Sequence, residues 1–207
     1  GALSVYFAGL MTYKMGGKMF AIIMTCLAVI LAPIFLAFNT IYSMNSLDVF
    51  FWIVAAYLFT VILKEKDQKL WLDLGIVIGL GMMNKVSIIW FAIGLIVALA
   101  LTDQRKWFKN KWFYFGAVAA IAIFTPFIIW NFYHDFAHIE FIRNASQMKY
   151  GSITPFDFII EQILIMNPIN IIIAGAGLHF LFLTKNDKRY MPLGIIFAVT
   201  FVILIIN

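Results

Sequence analysis

Charge is what this sequence has least of. Asp, Glu, Lys and Arg make up 12% of its 207 residues, about half the share usual in a soluble globular chain. Its one cysteine, Cys26, excludes a disulfide framework and leaves the redox compartment open. It has no phosphate-cradling glycine loop, no nucleophile elbow and no zinc signature. Internal repeats, low-complexity tracts and soluble linkers are missing as well. No Met start and no charged segment precede the first apolar block, so a signal peptide is not expected there.

Apolar residues, in contrast, reach 64%. A soluble domain of this size cannot bury that much apolar surface, because burial is limited by the ratio of surface to volume. The sequence predicts an all-α polytopic transmembrane bundle, one domain over residues 1–207. The apolar blocks run Gly1–Tyr13, Met19–Phe38, Leu47–Leu63, Trp71–Met83, Val86–Leu101, Trp112–Trp130, Asn167–Leu183 and Met191–Ile206. That makes about eight membrane segments, against a need of about 20 residues per spanning helix. The first block is short and starts without a flank, so the sequence reads as an internal fragment whose first helix is truncated.

Fifteen Lys and Arg against ten Asp and Glu leave a net charge of +5, which in a soluble protein would hint at nucleic acid. Here the cations sit between apolar blocks and report orientation instead, so no nucleic-acid partner is expected. Twelve of the 15 lie in alternate connectors: Lys14 and Lys18; Lys64, Lys66 and Lys69; Arg105, Lys106, Lys109 and Lys111; Lys185, Lys188 and Arg189. The positive-inside rule makes those connectors cytoplasmic. Trp71–Leu101 must then cross twice, as a short hairpin turning at Asn84-Lys85. The alternative is one long tilted helix with Lys85 buried, which would reverse everything downstream.

The other face comprises 39–46, the Asn84-Lys85 tip and the loop 131–153, with an outer loop plus interfacial helix expected over 131–166. Thr154, Pro155 and Asp157 form a helix-start pattern with a capping box. Pro168 interrupts the helix begun there, and a continuous helix to Leu183 would run about 43 Å, longer than the bilayer core. Pro155–Met166 is therefore expected at the outer interface, among membrane lipids.

Ionisable groups at membrane depth are costly and so are candidates for function. Lys85, between Asn84 and Ser87, is a point charge suited to a lipid phosphate, or a snorkelling anchor. Asp48, just after Asn45-Ser46, could orient a hydroxyl or sugar; alternatively Ser46 or Asp48 only serves the free amides and dipole of a helix start. The stretch Trp130–Glu140 is rich in aromatic and polar groups that suit either sugar binding or an interfacial belt. His134 and His138, with Asp135 and Glu140, have metal-like spacing, but without cysteine or a recognised motif no metal is expected. Arg143, with Asn144 and Lys149 nearby, could meet an anionic phosphate or lipid head groups. Gly75 and Gly79 have the spacing of close helix packing, Asp73 is a first-turn dipole partner, and His179 reads as a residue packed in the bundle.

The runs Tyr42-Ser43-Met44-Asn45-Ser46-Leu47-Asp48 and Gly79-Leu80-Gly81-Met82-Met83-Asn84-Lys85-Val86-Ser87 resemble the bacterial dolichyl-phosphate-mannose-protein mannosyltransferase-like family. This is a family of GT-C membrane glycosyltransferases related to the lipid A aminoarabinose transferases. Trp130-Asn131 and Glu140-Phe141-Ile142-Arg143-Asn144-Ala145 look like its stretch after the next outward helix, and the resemblance covers about residues 1–185.

The resemblance implies transfer of a sugar from a polyprenyl-phosphate donor to a lipid or protein acceptor, outside the cytoplasm and at the bacterial inner membrane, with no cofactor. It places Lys85 and Asn84 near the donor phosphate and gives Asp48 a site-orienting role. His134, Asp135, Glu140, Arg143 and Asn144 then line the later loop. The family's main base, an acidic residue of the first outer loop, is expected upstream of Gly1, so that the fragment alone would be inactive. A transporter or lipid flippase is the alternative. Transport folds, however, place ionisable groups near the midplane and repeat their halves.

Overall fold

The structure is a computed structural model that describes residues 1–41, 43–145, 154–184 and 188–206. Among the described residues it is all-α, with no strand. Its helices are α1 (Ala2–Lys14), α2 (Met19–Ile30), α3 (Pro33–Thr40), α4 (Met44–Glu65), α5 (Leu70–Asn84), α6 (Ile89–Leu101), α7 (Lys111–Tyr133), α8 (Ala137–Ala145), α9 (Pro155–Ile165), α10 (Asn170–Leu183) and α11 (Met191–Ile206). Short 3-10 turns at Val86–Ile88, Asp103–Lys109 and Lys188–Tyr190 join some of them.

Three helical stretches, Met44–Glu65, Lys111–Tyr133 and Lys188–Ile206, are each long and apolar enough to cross a membrane. Three bent pairs pass the same test only when joined: α2 with α3 at 59°, Val86–Leu101 with Asp103–Lys109 at 110°, and α9 with α10 at 107°. The block Met19–Phe38 is thus broken where the sequence reads as continuous. Pro33 supplies no amide, and Ala32 before it is extended, as the residue ahead of a proline prefers. Pro126 sits inside α7 without ending it.

Trp71–Leu101 folds back on itself. α5 ends at Asn84, Lys85 is extended (φ −156°, ψ 127°), and the chain re-enters a helix through Val86–Ile88. Beyond α6 the ring of Trp107 lies 5.5 Å from that of Trp71. The chain has therefore returned to the end it left, and a single long helix is excluded.

The core gathers α4, α5, α6, α7 and α11. Phe59 and Ile62 of α4, Leu74 of α5 and Leu99 of α6 are wholly or almost wholly buried. α5 and α7 lie in contact along a seam of small residues. A Cβ on Gly75 would stand 2.0 Å from the Gly116 carbonyl oxygen, and one on Gly79 only 3.1 Å from the Ala120 backbone. Since both contacts advance by one turn together, the two helices run parallel. The seam expected from Gly75 and Gly79 is present, and its partner is Gly116. α2, α3, α9 and α10 bury nothing, and His179, expected to pack in the bundle, is exposed on α10.

The two ends of the bundle differ in chemistry. At one, the Lys14 carbonyl accepts from Lys64 Nζ at 2.7 Å and Tyr190 OH at 3.3 Å, while Lys14 Nζ reaches Glu65 at 2.5 Å. Connectors that the sequence assigns to one face thus meet at one carbonyl. Lys185, assigned with them, lies outside the described residues.

Candidate functional site

At the opposite end, the tip of the α5–α6 hairpin meets the start of α4. That start is one turn earlier than the sequence suggests. Ser43, not Ser46, is the N-cap, its hydroxyl accepting from the Asn45 amide at 3.3 Å. Ser46 instead donates to the Ser43 carbonyl at 3.2 Å. Asp48 is therefore past the first turn and does no capping. Its carboxylate points across to the hairpin.

There, Ser87 Oγ donates to Asp48 Oδ1 at 2.7 Å, and Lys85 Nζ stands 3.5 Å from Asp48 Oδ2. Lys85 also donates to Asn45 Oδ1 at 3.1 Å, and Asn84 Nδ2 donates to the Met44 carbonyl at 2.9 Å. Two candidates 37 positions apart in the sequence are thus one ion pair. The Asp48 side chain is 14% exposed and that of Lys85 37%. The carboxylate is enclosed while the ammonium stands at the rim. Lys85 can sit there because its extended backbone breaks the helix, and its amide still donates to the Gly81 carbonyl at 2.8 Å. Gly81 packs closely at the tip, where a Cβ would lie 2.8 Å from the end of the Ile88 side chain and 3.2 Å from Phe51 Cβ.

Chemically, a carboxylate with a partner at each oxygen is an orienting acceptor. An ammonium has three donors; Asn45 Oδ1 accepts one, while Asp48 Oδ2 lies at ion-pair distance only, so the group can still turn a donor to an anion. Asn45 and Ser87, which complete the cluster, were missed as site residues. Both lie in the runs that carry the family resemblance, which was the available signal.

At this end an apolar cleft of about 450 Å³ lies between α1, α2, α3 and α4. Ser4, Asn39 and Thr40 are its polar lining, and Val49, the residue after Asp48, lines it from α4.

The later candidates stand apart from the ion pair. Asn131, 6% exposed, fastens the turn after α7. It donates to the Phe127 carbonyl at 3.0 Å, its Oδ1 accepts from the His138 amide at 3.2 Å, and its carbonyl accepts from the His134 and Phe136 amides. Asp135 and Phe136 take positive φ of 51° and 57°, and α8 begins in what the sequence presents as loop. His134 stacks on Trp130 with ring centroids 4.3 Å apart, and His138 meets Phe127 edge-on at 5.2 Å. The two histidines therefore serve different rings, and no group of three His, Cys, Asp or Glu side chains among the described residues could hold a metal. Asp135, Glu140, Arg143 and Asn144 are exposed. No hydrogen bond or ion pair among the described residues ties them to Asp48 or Lys85. Tyr42 and Lys149 lie outside the described residues.

The family model described as dolichyl-phosphate-mannose-protein mannosyltransferase matches residues 1–130. The match takes in the whole Asp48–Lys85 cluster and stops before α8, short of the 1–185 expected from the sequence. No curated protein and no solved structure matches the chain.

Proposed function

The chain belongs to the dolichyl-phosphate-mannose-protein mannosyltransferase family, and from that premise we propose that it moves a sugar from a polyprenyl-phosphate donor to a lipid or protein acceptor. The family is one of membrane glycosyltransferases of the GT-C type. The finer reading is that transfer occurs on the extracytoplasmic face of a bacterial inner membrane, with no cofactor.

The observation that carries the site is the Asp48–Lys85 pair at the hairpin tip. In the reaction the acceptor hydroxyl attacks the anomeric carbon and gives its proton to a general base, while the bond to the phosphate oxygen breaks. Negative charge then gathers on the departing lipid phosphate. Lys85, a cation with a spare donor at the rim, stabilises that charge, and such stabilisation is often the largest single catalytic contribution. Asn84 and Asp48 hold the tip and α4 together so that the charge stands in place. In this reading His134, Asp135, Glu140, Arg143 and Asn144 on the α7–α8 segment face the sugar or the acceptor.

Replacing Lys85 with alanine in the protein in its native membrane tests this reading. Transfer from a polyprenyl-phosphate sugar should fall by about 100-fold or more, as when a single charge-stabilising donor is lost. Unchanged turnover, with the protein folded, would make Lys85 an interfacial anchor and remove the site.

A further inference from the structure

An unconstrained ammonium–carboxylate pair closes to about 2.7–2.9 Å. Lys85 and Asp48 stay at 3.5 Å although both belong to one small cluster. Each partner is also held by a neutral group. Asn45 Oδ1 takes the ammonium at 3.1 Å, and Ser87 Oγ takes the other carboxylate oxygen at 2.7 Å. Asn45 and Asp48 are three residues apart on α4 and so share a face, with the ammonium lying against both. Ser87, two residues beyond Lys85, rides on the 3-10 turn Val86–Ile88.

We propose that Asn45 and Ser87 are positioning residues that hold this ion pair open, so that Lys85 keeps more of its field for an anionic phosphate. The proposal rests on the phosphate role given to Lys85 above. Asp48 is then a resident competitor as well as an orienting group. Without Asn45 the ammonium moves onto Asp48, and without Ser87 the carboxylate swings onto Lys85. In either case the phosphate must displace a closed pair. A simple polar clamp between helix ends would not require this competition.

The test is equilibrium binding of a polyprenyl monophosphate to the protein in nanodiscs of neutral phosphatidylcholine. Asn45→Ala and Ser87→Ala should each weaken binding about fivefold, the scale of a partly exposed ion pair. Asp48→Asn alone should tighten it. Added to either weakened variant, Asp48→Asn should restore at least the original affinity, which also shows that those variants fold. Ser87→Thr, which keeps the hydroxyl, should bind as the parent does.

Original affinity in Asn45→Ala and Ser87→Ala overturns the proposal, provided Lys85→Ala loses binding. Failure of Asp48→Asn to restore binding overturns it too, since the two residues would then be direct ligands or scaffold. If Lys85→Ala binds like the parent, the phosphate reading itself fails and the proposal falls with it.

Discussion

Lys85 and Asp48 were legible as candidates because charge in an apolar stretch is expensive and has to be explained. That they face one another was not legible. Nothing in either run says that the start of α4 and the tip of the next hairpin meet. Asn45 and Ser87 were harder still, since neutral polar residues at helix ends usually serve only the backbone. Asn131 shows the opposite error. Set among aromatics and histidines, it reads as part of a binding loop, yet its amide is spent on the Phe127 carbonyl and the His138 amide. Asn131→Ala should leave the half-buried His138 amide without its side-chain acceptor, lowering stability by about 1 kcal/mol. Hydrogen exchange at the His138 amide should quicken at the same time. Unchanged exchange there would show that the turn is held by something other than this side chain.

At the scale of elements, the sequence was most reliable where one local mechanism decides. The capping box is one case, with Thr154 Oγ1 accepting from the Asp157 amide at 3.2 Å and Asp157 from the Thr154 amide at 3.3 Å. The break at Pro168 and the turn at Asn84-Lys85 obey the same logic. The α2–α3 bend was missed because an apolar run conceals a proline that periodicity alone does not weigh. The Gly75–Gly79 spacing announced close packing but could not name the partner, which depends on the hairpin bringing α7 alongside.

The backbone contact at that crossing makes a sharp comparison possible. Gly75→Ala would drive a methyl against the Gly116 carbonyl, and Gly116→Ala one against the Trp71 carbonyl at 2.1 Å. Backbone cannot rotate away, so each should cost about 1–3 kcal/mol or more. Gly177→Ala on α10 meets nothing within 4 Å and should be neutral, or stabilising by up to about 1 kcal/mol through helix propensity. Unfolding midpoints in one detergent rank the three. Equal midpoints would mean that α5 and α7 do not touch along this seam.

For the whole molecule, the segregation of charge predicts a direction of insertion. Among the described residues the end holding Trp71 and Trp107 carries Lys14, Lys18, Lys64, Lys66, Lys69, Arg105, Lys106, Lys109, Lys111, Lys188 and Arg189, against Glu65, Asp67, Asp73 and Asp103. The opposite end has Lys85 and Arg143 against Asp48, Asp135, Glu140, Asp157 and Glu161. An anionic cytoplasmic leaflet favours each nearby cation by about 1 kcal/mol, so eleven cations on one end outweigh any single misplaced charge. The bundle should insert with that end inward and the ion pair outward, as the proposed extracytoplasmic transfer requires. In a Cys26→Ser background, which removes the one native thiol, Asn84→Cys and Lys66→Cys mark the two ends. An impermeant maleimide added to intact cells should modify the first, and should modify the second only after permeabilisation. The reverse pattern would turn the bundle over and place Lys85 on the cytoplasmic side, where an extracytoplasmic transfer could not use it.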